Sequence, residues 1–168
     1  MYGTVEPSPL SNKAISEYAT RVAETYRIFE NAQKADLRKL VNSLGGRISQ
    51  SREVFAREAL TVYAPGQFDI HVPPITSDRR DRFTIAHELG HYFLHYVHPG
   101  KTEAMVFGRG QSNRAETQAN YFAASLLMPE ERFREARRRH GDDWWSLSEV
   151  FGVSPSAAEV RAQVVSNN

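Results

Sequence analysis

Within Arg82-Phe83-Thr84-Ile85-Ala86-His87-Glu88-Leu89-Gly90-His91-Tyr92-Phe93-Leu94-His95, two histidines stand four residues apart, with a glutamate directly after the first. On an α-helix, residues four apart share a face and lie roughly 6 Å apart along the axis. His87 and His91 can therefore both reach one ion at about 2.1 Å, the usual zinc–nitrogen distance. Glu88 stands where it can accept a proton from a water at that ion instead of binding the ion itself. The surroundings read as helical: Phe83, Ala86, Gly90 and Leu94 make a small-and-apolar face, with Thr84 or Asp81 to cap the start.

Two histidines on a helix make half a site, and a third ligand is needed downstream. Asn113 to Leu127 reads as a second helix, with Ala119, Phe122, Ala123, Leu126 and Leu127 at helical spacing. Glu116 lies one turn before that apolar face and can project inward. Two histidines and a glutamate, with water in the fourth position, are a standard catalytic zinc set. Glu103 is a rival, but it falls in a loop between Pro99-Gly100 and Gly108-Arg109-Gly110, and ligands on rigid elements are better positioned. His95 is eight residues beyond His87, about 12 Å up a straight helix, and reads as a core or supporting histidine. A third histidine in the metzincin register would fall six residues after His91, where Val97 stands, and His98 is one step off. Asn120, one turn after Glu116, can hydrogen-bond the free ring nitrogen of a liganding histidine.

Residues 82–91 together with Glu116-x-x-Ala119-Asn120-x-Phe122-Ala123-Ala124-x-Leu126-Leu127-Met128-Pro129 resemble the ImmA/IrrE family of zinc-dependent metallopeptidases. Both blocks, their order and their separation match, and the likeness extends over roughly residues 60 to 130. The resemblance implies a zincin-like α+β fold, metal ligands at His87, His91 and Glu116, and a general base at Glu88. It also implies zinc as the cofactor, with manganese as an alternative activating metal. The implied substrate is a helix-turn-helix transcriptional repressor, whose cleavage would switch on the genes it silences.

The remaining elements must carry this pair of helices. Residues 12–44 read as one long helix or two shorter ones, with Ile15, Tyr18, Val22, Phe29, Leu37, Leu40, Val41 and Leu44 on one broad side and Gly45-Gly46 as a stop. From Arg47 to Val72 the period changes to two. Ala59–Tyr63 and Phe68–Val72 form a hairpin that buries Leu60, Val62, Phe68, Ile70 and Val72, with Asp69 and His71 outward. Such a hairpin could offer an open edge to an extended substrate. Ser77 to Arg82 reads as a charged loop into the metal helix. Glu130 to His140 is a charged helix with Phe133 and Ala136 as its stripe and three arginines at its end, which suits the helix dipole. After Gly141, residues 147–161 outline a helix, a glycine turn and a second helix capped by Ser154. As a DNA reader that outline is thin, because after Ser154 only Arg161 could contact phosphate or base. The expected fold is α+β, a small antiparallel sheet packed against several helices. A metallopeptidase domain spans 1–140, and a helical appendage over 141–168 packs on the same domain.

Composition narrows the chemistry. The 168 residues include no cysteine, so thiol-based metal sites and disulfides are excluded. Net charge is +1, which predicts no strong attraction to nucleic acid. The start, with Pro7 and Pro9 among Ser and Glu, has no apolar signal-peptide core, and no run could span a membrane; the expectation is a cytoplasmic protein. In the resulting mechanism Glu88 takes a proton from water and passes it to the leaving amine. Tyr92, Tyr121 and His71 are candidates to stabilise the tetrahedral oxyanion. The other readings are an antirepressor that displaces its partner without cutting it, and a general peptidase of cell-wall or nutrient peptides. Oligomeric state is not written in the sequence.

Overall fold

The computed structural model describes residues 5–50, 52, 58–108 and 113–166. Ser11 opens helix α1 (Asn12–Thr25) by accepting a hydrogen bond from the Ala14 amide, and Ile15, Ala19, Val22 and Ala23 line its buried face. Arg27, in the left-handed region at φ 52°, turns the chain out of that helix. Asp36 then caps a separate short helix, α2 (Leu37–Ser43). The two-helix alternative for residues 12–44 is therefore the one adopted.

Four strands follow, β1 (Gly46–Gln50), β2 (Glu58–Ala64), β3 (Gln67–Val72) and β4 (Met105–Gly108), in the sheet order β1-β3-β2-β4. The β2–β3 hairpin has the expected bounds to within a residue, and Leu60, Val62, Phe68, Ile70 and Val72 are buried as the alternation required. The sheet is mixed rather than purely antiparallel, because β1 enters from α2 and runs parallel to β3. β4 pairs antiparallel with β2. Both hairpin strands are thus interior, and the expected open edge on the hairpin is closed by β1 on one side and β4 on the other. Arg109 and Gly110, and residues 51 and 53–57 of the period-two stretch, lie outside the described residues.

Helix α3 (Asp78–His91) starts earlier than its caps at Thr84 or Asp81 would allow. Ser77 is the cap, accepting from the Arg80 amide, and Asp78 and Asp81 occupy the first turn where the dipole favours acids. The expected charged loop is therefore largely helix. Two of its arginines are structural: Arg79 bonds Ser148 and Glu149, and Arg82 donates to the Ala35 carbonyl at 3.0 Å. The chain continues past His91 as a π-helical segment, Tyr92–Val97, buried through Tyr96. Helix α4 (Arg114–Leu127), capped by Asn113, packs along α3 and against α1.

The C-terminal third is helical: α5 (Glu130–His140), α6 (Trp144–Phe151) and α7 (Pro155–Ser166). Gly152, left-handed at φ 67°, ends α6 and turns the chain into α7, a position where a Cβ would strike the Arg82 guanidinium. Arg161 is buried and donates to the Met128 carbonyl at 3.0 Å. The one cation of this outline that could have reached a phosphate is instead a packing group. Arg137 pairs with Asp142 and donates to Ser166, and Arg139 pairs with Glu135. A single apolar core runs from Val5 to Val165. Among the described residues no helix is long and apolar enough to cross a membrane.

Candidate metal centre

The close packing of α3 on α4 brings together three side chains that are 29 and 25 residues apart in sequence. The ligand atoms of His87, His91 and Glu116 all lie within 4.8 Å of one another. The His87 and His91 Nε2 atoms each stand 2.9 Å from a different oxygen of the Glu116 carboxylate. Donors sharing one zinc ion tetrahedrally at about 2.1 Å would be roughly 3.4 Å apart, so small side-chain adjustments suffice to hold one. Two imidazoles and one carboxylate fit a catalytic divalent site, which keeps a position for water. His91 is almost wholly buried, whereas His87 and Glu116 retain 15% and 20% side-chain exposure. The site therefore has one side open to solvent.

Support comes from both helices. His87 donates through Nδ1–H to Asn120 Oδ1 at 2.7 Å, which leaves Nε2 facing the centre. Asn120 does what its spacing after Glu116 suggested. On the far side, His91 Nδ1 and His95 Nδ1 are 2.9 Å apart, and His95 Nε2 lies 3.0 Å from Gln118 Oε1. His95 is thus a buried neighbour of His91, absent from the ligand cluster as its axial offset required. The Phe107 ring of β4 stacks on His91, with centroids 5.3 Å apart, so the sheet's outer strand walls the centre.

Electrostatics reflect this crowding. Burial alone would raise the Glu116 pKa, but hydrogen bonds and positive charge from His87 and His91 outweigh it and hold the carboxyl at about 2. Burial disfavours the charged form of His87, yet the bond to Glu116, the nearby Glu88 charge and the Asn120 bond raise its pKa above the usual value. Burial pushes His91 down, and pushes His95 down to about 4. Glu88 is buried, near enough to act on His87 electrostatically, and stands outside the cluster of three.

Several other candidates do not meet the centre. Glu103 is exposed, its carboxylate accepting from the Thr102 amide. His98 is exposed, and its ring stands edge-on to Tyr18. Among the oxyanion candidates, the Tyr92 hydroxyl accepts from the Gly66 amide at 3.0 Å, Tyr121 pairs with Arg161, and His71 bonds Thr61. Gln118 was missed by sequence reasoning. Its signal is a polar residue on the stripe Ala115, Ala119, Phe122, where burial demands a partner.

A family model described as the IrrE N-terminal-like domain of the M78 peptidases matches residues 56–163. The chain belongs to this family. The match covers both helices of the centre and continues past Gly141 into α7. A metallopeptidase role follows at the level of the family, with the His87–His91–Glu116 cluster as its candidate metal centre. Among curated proteins none matches the chain.

Proposed function

We propose that this chain is a zinc-dependent endopeptidase that cleaves a helix-turn-helix transcriptional repressor in the cytoplasm and so relieves repression. The observation that carries the peptidase part is the convergence of His87, His91 and Glu116 around one open-sided point, with Glu88 buried beside His87. Support for the repressor as substrate comes from the family resemblance of the two sequence blocks.

His87, His91 and Glu116 would hold the ion. When bound, it supplies Lewis acidity that lowers the pKa of a water and polarises a scissile carbonyl. Glu88, one residue from a ligand yet not in the cluster, takes the proton from the attacking water and delivers it to the leaving amine. Asn120 keeps His87 oriented while this happens. Among the described residues the sheet edge nearest the centre is β4, whose Phe107 already touches His91, and an extended substrate segment would add there as a strand. Beside Asn120 a groove of about 470 Å³, lined by Phe83, Tyr121, Ala157 and Val160, offers apolar surface for side chains of the bound segment.

The test is to incubate the purified chain with the repressor encoded beside it, adding zinc or manganese, and to record intact masses. Wild type should yield two fragments, and Glu88→Gln, which removes the base without removing a ligand, should retain metal and lose about 10²- to 10⁴-fold in rate. An intact repressor bound tightly by both proteins under every metal would replace cleavage with displacement.

A further inference from the structure

Behind His91 a line of polar groups runs through the apolar interior to the N-terminal segment. The Ser8 amide donates to Gln118 Oε1 at 2.9 Å, and Gln118 Nε2 donates to the Ser8 carbonyl at 2.8 Å. This pair of bonds fixes which end of the Gln118 amide faces His95. Because Oε1 can only accept, the 3.0 Å contact requires His95 to donate through Nε2–H. His95 is 2% exposed, and an imidazolium there would be a buried charge without an acidic partner in this line. In its neutral form His95 has a lone pair on Nδ1, and the 2.9 Å contact with His91 Nδ1 is then a bond that His91 donates. His91 therefore carries a proton on Nδ1, and its Nε2, 2.9 Å from Glu116 Oε1, is the nitrogen left for the ion, which would take the place of the proton shared with the carboxylate there.

We propose that Gln118 and His95 are positioning residues that hold His91 in the Nδ1–H tautomer, and that this relay, closed at its outer end by Ser8, sets the affinity of the metal centre. The opposite polarity, with His95 donating to His91, would place a hydrogen on the His91 nitrogen that must bind the ion. His87 obtains the same tautomer from one surface amide, Asn120. His91, too deep for that solution, obtains it through three groups in series. Ser8 lies before residues 56–163, so the relay is completed by a part of the chain outside the family match. The proposal rests on the metal centre being real, and the experiment separates the two.

In the metal-free protein, long-range ¹H–¹⁵N correlation spectra of the histidine rings should show His91 as Nδ1–H and His95 as Nε2–H. His95 as Nδ1–H would overturn the relay whether or not the protein binds metal. Zinc affinity, measured by competition with a chromophoric chelator, should fall about 10- to 100-fold in His95→Leu, the range seen when partners of metal ligands are removed. In His95→Gln the new amide accepts at one end and donates at the other, reproducing the polarity, and should stay within about threefold of wild type. Equal losses in the two variants would reduce His95 to a packing residue. Should His95→Leu fail to fold, Gln118→Met removes the acceptor of the His95 bond, together with both bonds to Ser8, and should scramble the His95 tautomer; unchanged tautomer and affinity there would also overturn the proposal. A wild type that binds neither zinc nor manganese would overturn the peptidase reading and the relay's effect on affinity together, whereas tight metal binding with His95 as Nδ1–H would overturn the relay alone.

Discussion

Gly90 stands between Glu88, the proposed proton acceptor, and His91, a proposed ligand, on the face of α3 that meets α4. A Cβ built there would lie 2.9 Å from the Ala119 carbonyl oxygen, 3.0 Å from the Ala119 Cα and 3.2 Å from the Phe122 Cβ. Two of these neighbours are backbone of a helix packed on both sides, by α3 and by α1, so neither can swing away. In Gly90→Ala two effects compete. Replacing a mid-helix glycine by alanine gains about 0.5–1 kcal/mol from the unfolded chain's lost freedom. Forcing an extra methyl into a well-packed contact costs about 1–3 kcal/mol. The net expectation is a destabilisation of up to about 2.5 kcal/mol.

The functional consequence exceeds the stability change. Relieving the clash to an ordinary carbon contact separates the helices by roughly 0.5 Å. Glu116 sits one turn before Ala119 on α4, while both histidines ride on α3, so that separation opens the ligand cluster directly. Metal sites tolerate about ±0.2 Å in ligand distance. Zinc affinity in Gly90→Ala should therefore fall at least about tenfold, the lower end of what disturbing a ligand's support costs. The assay is chelator competition for zinc alongside thermal unfolding of the metal-free protein. A variant that melts higher than wild type and binds zinc equally well would show that helix propensity dominates and that the α3–α4 contact does not set the ligand spacing.

Asn120→Ala removes the acceptor of the His87 Nδ1–H bond and should weaken zinc binding about 10- to 100-fold, whereas Asn120→Asp, which keeps an acceptor, should not; chelator competition distinguishes them. Zinc at 100 times its dissociation constant should stabilise the fold by about 2.7 kcal/mol, raising the melting temperature by roughly 5–10 °C. The shift should vanish with a chelator and be absent in His91→Ala. In the metal-free chain His95, pushed down to about 4, stays neutral where the unfolded chain would be protonated, so its contribution is present above the unfolded value of 6.5 and is lost as pH falls towards 4. Urea unfolding should show wild type losing about 2 kcal/mol more than His95→Gln between pH 7.5 and 5. An equal loss in both would exclude His95 as the source. His91 acts in the same direction and His87 in the opposite one, its stabilising effect being present below 6.5 and lost as pH rises.

What was legible in the sequence is what local spacing dictates. His87 and His91 share a face because a helix turns every 3.6 residues, and Glu116 could be chosen over Glu103 because one lies in a periodic segment and the other does not. The β2–β3 hairpin follows from alternation and a Pro-Gly turn, and its buried residues include the five expected, with Ala59 buried beside them. Local spacing does not say what stands beside the hairpin, so the closing of both its edges by β1 and β4 was invisible. The start of α3 was misplaced because Ser77 caps a turn whose arginines looked like loop charge, and only the folded chain reveals Ser148, Glu149 and Ala35 as their partners.

The deeper part of the site depends on contacts that no spacing rule contains. Gln118 and Ser8 are 110 residues apart, and nothing near either one signals the other. Yet each carried a local anomaly. Gln118 interrupts the small-and-apolar stripe of α4, and His95 interrupts the run from Tyr92 to Val97 that the chain buries as a π-helical segment. A polar group in an apolar stripe must either find a partner or cost the fold 1–3 kcal/mol, roughly the size of a lost hydrogen bond. Two such anomalies in segments that already share a candidate metal centre are therefore better read as a pair than as two exceptions. On that reading His95, too distant along the axis to join the cluster of His87, His91 and Glu116, stands where it can support His91.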